Sequence, residues 1–141
     1  MIKFVGFDLG GVYLSDCWGA ATKESIHRKF HITRKNLDAY NNLSLITEGL
    51  ISEGEFLRKI GAKDEKTIKK LKMHIRAGNK VIFPEIPRLI RKLRNHYKVV
   101  LMNNEGKEWN DYRIKKFRLT KLFDEIFTSC MLKDSKPRKS Y

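Results

Sequence analysis

The sequence predicts an α/β protein: a Rossmann-like parallel sheet with a helical module inserted after its first strand. Three observations carry this. Short apolar runs at residues 2–7, 99–102 and 125–129 each end in polar residues, as buried strands do. Helical periodicity fills the segments between them, and strands separated by helices pair in parallel through crossovers. The first connection, about residues 14–98, is far too long for one crossover and holds several helical patterns.

The first strand ends in Phe7 and runs into Asp8-Leu9-Gly10-Gly11, where two glycines let the chain turn tightly beside a carboxylate. One helical pattern begins around Thr22 and carries Ile26 and Phe30; the next begins near Thr33 and carries Leu37 and Tyr40. Ser52 with Glu55 three residues on is a capping box, flanked by Ile51 and Phe56 at the staple positions, and Gly61 stops that helix. A fourth pattern starts near Asp64, aligns Ile68, Leu71 and Ile75 on one face, and stops at Gly78. Pro84 opens a last helix with Ile86, Leu89, Ile90 and Leu93 inward. This assigns residues 1–13 and 82–141 to a discontinuous α/β core and residues 14–81 to the helical insertion. The second strand ends in Asn103-Asn104, and Lys136 follows shortly after the third.

The composition is 41% hydrophobic over 141 residues, with 8 Phe, 5 Tyr and 2 Trp, which is enough for a packed core. No apolar run approaches the roughly 20 residues a membrane span needs, and the N-terminus lacks the pattern of a secretory signal. Cys17 and Cys130 make neither a disulfide framework nor a metal cluster. A reduced, cytoplasmic protein without a membrane partner is expected. The net charge of +14 is spread along the chain, as at Lys69, Lys70 and Lys72, and is densest from Arg113 to Lys121. It reads as a solvated basic surface rather than a dedicated nucleic-acid face, and it attracts phosphorylated small molecules as well. His27 and His31 lie four apart without a fitting third ligand, and read as surface histidines. Tyr13 and Trp18 fit either the mouth of a site or the core.

Ligands of open α/β sheets bind at the carboxyl ends of the strands. Asp8, Asn103, Asn104 and Lys136 all fall there. A carboxylate can attack phosphorus, while amide groups and an ammonium hold the phosphoryl oxygens as charge builds. Taken singly, these residues read as a cap, a turn and a surface lysine; their order along the chain is what joins them.

Phe7-Asp8-Leu9-Gly10-Gly11-Val12 resembles the first motif of haloacid dehalogenase-like (HAD) hydrolases, in a phosphatase-like branch. Leu43 to Ile60, with Glu48-Gly49-Leu50-Ile51-Ser52 and Phe56, resembles that branch's helical cap, and Val99 to Asn104 its second-motif strand. Leu122-Phe123-Asp124-Glu125-Ile126-Phe127, Ser129-Cys130 and Lys136-Pro137 resemble the approach to the third motif. The resemblance implies a phosphomonoesterase acting on a small phosphorylated metabolite through an aspartyl-phosphate on Asp8. It implies Mg²⁺ held by Asp8 and the Gly10 backbone carbonyl, phosphate bound by Asn103, Asn104 and Gly11, and Lys136 neutralising charge beside the nucleophile. Residues 14–81 become the cap.

The chain also departs from the family pattern. Gly10 stands where many family phosphatases have a second aspartate, Asn103 stands where they have Ser or Thr, and the sequence ends before the acidic fourth motif. A fragment with impaired or absent turnover is therefore expected, with an open strand edge available for self-association. The alternative is a non-catalytic relative that binds a phosphorylated ligand, nucleic acid or a protein.

Overall fold

The computed structural model describes residues 3–135. Strand β1 (Phe4–Phe7) is followed by five helices, α1 (Ala20–Phe30), α2 (Arg34–Leu37), α3 (Tyr40–Thr47), α4 (Glu53–Lys59) and α5 (Glu65–Ala77). Then come α6 (Ile86–Leu93), β2 (Lys98–Asn103), α7 (Lys107–Lys116), α8 (Leu119–Leu122), β3 (Glu125–Thr128) and α9 (Ser129–Leu132). The strands form a parallel sheet in the order β1-β2-β3. Phe7 pairs with Leu101, and Asn103 with Thr128, so the carboxyl ends of all three strands meet at one edge.

The pleat assigns the two faces. Phe7, Val99, Leu101 and Ile126 point to one side, where Ile90 of α6 and Leu119 and Leu122 of α8 complete an apolar cluster with Leu9 and Leu14. On the other side Gly6 lies against Met102 and Val100. Phe4, Val100, Met102, Phe127 and Leu132 line an apolar trough there of about 420 Å³, and Phe4 is 61% exposed. Parallel sheets are usually covered on both faces; among the described residues this one is covered on one.

Three helices of the insertion begin at a side-chain cap. Thr33 caps α2 by accepting from Asn36 N–H. Ser52 and Glu55 form the expected capping box on α4, and Asp64 caps α5 by accepting from Thr67 N–H. Ile68, Leu71 and Ile75 of α5 are buried as their spacing requires. They join Ile26, Leu37, Ile46, Phe56 and Trp18 in a second apolar cluster, to which α7 contributes Trp109.

Three sequence expectations change. The pattern from Thr33 to Tyr40 is two helices, because the chain turns at Asp38 and Ala39 and Lys23 holds the Asp38 carboxylate at 2.9 Å. Leu89 is 44% exposed rather than inward. It lies at the edge of the Ile86–Ile90–Leu93 stripe, and α6 is rolled so that Ile90 faces the sheet. Arg113 is not part of the basic surface: it is 2% exposed, one turn along α7 from Trp109 on the helix's inward face.

Asp124 ties the start of β2 to α6. It accepts from Val99 N–H at 2.7 Å and from Arg94 at 2.8 Å. The Val99 N–H first, and then Arg94, hold its carboxyl below the usual aspartate range. A depressed folded-state pKa contributes stability above the unfolded value and loses it as pH falls through the folded one. Thermal melts should therefore drop on acidification below the ordinary aspartate range, and Asp124→Asn should flatten that drop. Leu101→Ala, at a fully buried site, should cost about 2–5 kcal/mol in urea denaturation.

Candidate active site

The turn after β1 is built by hydrogen bonds to one carbonyl: Val12, Tyr13 and Leu14 N–H all donate to Leu9 O. Gly11 sits at φ +75°, a conformation that favours glycine, and its N–H donates to Leu14 O at 2.8 Å. Asp8 stands at the head of this turn, and Leu9 N–H donates to its Oδ1 at 2.8 Å. That bond orients the carboxylate.

Leu14 and Ser15 begin the passage into the insertion, and Lys80 and Val81 end the return. The two crossings lie side by side. Leu14 bridges Val81 antiparallel, Ser15 N–H donates to Lys80 O at 2.8 Å, Lys80 N–H donates to Ser15 Oγ at 2.9 Å, and Ile82 N–H donates to Tyr13 O at 3.0 Å. Beyond the crossings Trp18 stacks on Trp109 of α7 with ring centroids 5.8 Å apart, and Phe56 of α4 meets both rings edge-on. Trp109 Nε1 donates to the fully buried Glu53 at 2.7 Å, and Arg76 donates to the same carboxylate at 2.8 Å. Gly106, the N-cap of α7, leaves room for α3: a Cβ there would meet Ile46 at 2.6 Å.

Between the strand ends and the insertion lies a cavity of about 450 Å³. Asp8, Gly10, Asn103 and Asn104 all line it, together with Asp16, Cys17, Trp18, Thr47, Glu105 and Arg113. Gly11 is not among the lining residues, and its N–H is used inside the turn. Lys136 lies outside the described residues, although its neighbour Ser135 lines the cavity and donates to Glu48 of the insertion at 3.1 Å.

The cavity wall is organised by a charge pair that sequence reasoning did not single out. Arg113 Nη1 donates to Glu105 Oε1 at 2.8 Å, and both side chains are nearly inaccessible. Glu105 also accepts from Cys17 Sγ at 3.2 Å and from Asn103 Nδ2 at 3.1 Å. Its backbone N–H donates to Ser129 Oγ, which in turn donates to Thr47 O. Burial pushes the Glu105 carboxyl up, against the pull of Arg113 and of these hydrogen bonds. Burial, then the Glu105 charge, raise the Cys17 thiol well above its usual value, in keeping with its place as a hydrogen-bond donor to Glu105.

Asn103 is placed where the sequence put it, with a changed orientation. Its Nδ2, expected to reach phosphoryl oxygens, is engaged by Glu105, and its buried Oδ1 has no hydrogen-bond partner. The only signals for this network were Glu105 directly after the asparagine pair and Arg113 four residues after Trp109.

For a divalent cation the donors are hard oxygens. Among the described residues no group of three His, Cys, Asp or Glu side chains could hold a metal. Mg²⁺, however, keeps several waters and takes one or two carboxylates. Asp8 and Gly10 line one cavity, and a carboxylate with a backbone carbonyl fits that demand.

No family model and no curated protein matches the chain. Solved structures do. A HAD family enzyme, bt-2542 of Bacteroides thetaiotaomicron, in complex with magnesium and inorganic phosphate, superposes with a TM-score of 0.75 at 22% identity, over 98% of this chain and 74% of that one. The chain has a HAD-like fold. A predicted HAD-like family hydrolase of Porphyromonas gingivalis gives a TM-score of 0.67 at 24% identity, over 99% of this chain and 72% of that one. L-2-haloacid dehalogenase of Xanthobacter autotrophicus, with chloropropionic acid covalently bound, gives 0.61 at 15% identity, over 98% and 61%. In this fold the turn after β1 and the end of β2 line one cavity. No helix among the described residues is long and apolar enough to cross a membrane.

Glu105→Ala would leave Arg113 buried without its partner. The change should lower stability by about 3–5 kcal/mol, read by chemical denaturation. Glu65→Ala, at an exposed ion pair with Arg58, should change it by no more than about 1 kcal/mol.

Proposed function

We propose that the chain is a Mg²⁺-assisted phosphomonoesterase acting on a small phosphorylated metabolite through an aspartyl-phosphate on Asp8, with a low turnover set by Gly10 and Asn103 in place of the family's aspartate and Ser or Thr. The observation that carries this is the shared cavity: the Asp8 carboxylate, oriented by Leu9 N–H, lines the same space as Asn103 and Asn104 at the end of the neighbouring strand. The neighbour of the same fold that carries magnesium and inorganic phosphate supports the reading.

In this reading a carboxylate oxygen of Asp8 attacks phosphorus and the P–O bond to the alcohol breaks. Water then attacks the phosphorus of the acyl-phosphate, which releases inorganic phosphate and restores Asp8. Asp8 and the Gly10 carbonyl would hold Mg²⁺, which neutralises phosphoryl charge when bound. The leaving alcohol needs a proton. Asp16 lines the cavity, lies beside Gly10 and stands outside the Arg113–Glu105 pair, so we assign that transfer to it. The helical insertion acts as a cap that closes over the reacting group, keeps bulk water out and admits the single water that hydrolyses the acyl-phosphate. Two free thiols, Cys17 and Cys130, fit the reducing cytoplasm in which we place the protein.

A panel of sugar phosphates and nucleoside monophosphates, with and without Mg²⁺, tests the proposal. Phosphate release should require Mg²⁺ and fall to background in Asp8→Asn. Asp16→Asn should slow alkyl phosphates by about 10²–10⁴-fold and slow an aryl phosphate with a good leaving group far less. Release that survives Asp8→Asn sinks the reading, and chloride release from a 2-haloacid would replace it with dehalogenation.

A further inference from the structure

We infer that Arg113 is a positioning residue that locks the helical insertion to the cavity wall and, through Glu105, sets the amide of Asn103. A buried arginine paired with a carboxylate needs only one acceptor to balance its charge. Arg113 has three, from three separate segments. Nη1 donates to Glu105 Oε1 in the loop after β2, Nε donates to Asn79 Oδ1 at 2.6 Å, and Nη2 donates to Ser15 O. Ser15 and Asn79 belong to the two crossings between core and insertion. The planar fork of a guanidinium can hold three such acceptors in fixed directions, which a lysine cannot.

Both ends of this tie reach the cavity. Asp16, the residue after Ser15, lines it. On the other side Glu105 Oε2 takes Asn103 Nδ2, which turns the unpartnered Asn103 Oδ1 away from that bond. A shift of the crossings against α7 is therefore felt at two lining residues at once. Hinges of this kind are a few residues at element ends, and what fixes them is the contact network around them.

The test is native-state hydrogen exchange of the full chain without ligand, comparing the parent with Arg113→Lys, which keeps a cation opposite Glu105. The amides of Ser15, Lys80 and Ile82 should exchange at least about tenfold faster, while those of α5 and β2 keep their rates. Acceleration of all amides alike, or none at the crossings, overturns the inference. Should Arg113→Lys fail to fold, Asn79→Ala removes one acceptor and keeps the ion pair; it must accelerate the same three amides. The link to Asn103 rests on the hydrolase reading and is read by a double-mutant cycle. Arg113→Lys should lower kcat more than it raises KM in the parent, and have less than about a twofold effect in an Asn103→Ala background. Additive losses overturn that link. A parent without turnover would refute the hydrolase reading, while the exchange rates would still decide the role of Arg113.

Discussion

The pairing of Phe7 with Leu101 and of Asn103 with Thr128 is the constraint on which the rest depends. In a parallel sheet side chains alternate with a period of two, so a one-residue slip would exchange the faces of β1. Phe7 and its neighbours would leave the cluster built on Ile90, Leu119 and Leu122, and Asp8 would no longer stand beside the end of β2. Burial of apolar side chains on one face thus sets the register, and the register brings a carboxylate and an amide pair to one edge.

A second layer of order comes from α7. Its N-terminus approaches α3 closely enough that Gly106 has no room for a side chain. Trp109 reaches into the aromatic cluster of the insertion, and Arg113 binds both crossings. A buried ion pair contributes little net stability by itself, because desolvation offsets the attraction. Its contribution is geometric when further hydrogen bonds satisfy the remaining groups, as they do around Glu105. The same helix therefore joins the sheet, the insertion and the wall of the cavity.

The fold was largely legible from sequence because its strands are short apolar runs and its helices carry strong local signals. The Ser52–Glu55 capping box and the Ile68–Leu71–Ile75 stripe are local in sequence, and both are present in the structure. Part of the candidate site was legible for the same reason: Asp8 and Asn103 directly end apolar runs. What escaped was non-local. Arg113 sits in the densest basic stretch of the chain, and only the position of α7 against Ser15 and Asn79 distinguishes it from its solvated neighbours. The orientation of Asn103 depends on Glu105, and the use of Gly11 N–H inside the turn depends on the position of Leu14 O. Neither is written in residue type or spacing. The exposure of Leu89 is a matter of helix roll, which periodicity leaves open by about one residue position.

The chemistry assigned to the cavity reduces to one covalent event at one side chain. Rapid-quench peptide mapping of the chain mixed with Mg²⁺ and a phosphate ester tests that event most directly. The account predicts a phosphoryl adduct on Asp8 that forms and decays within the turnover time. Phosphate release without an adduct on Asp8, or an adduct on another residue, would contradict it.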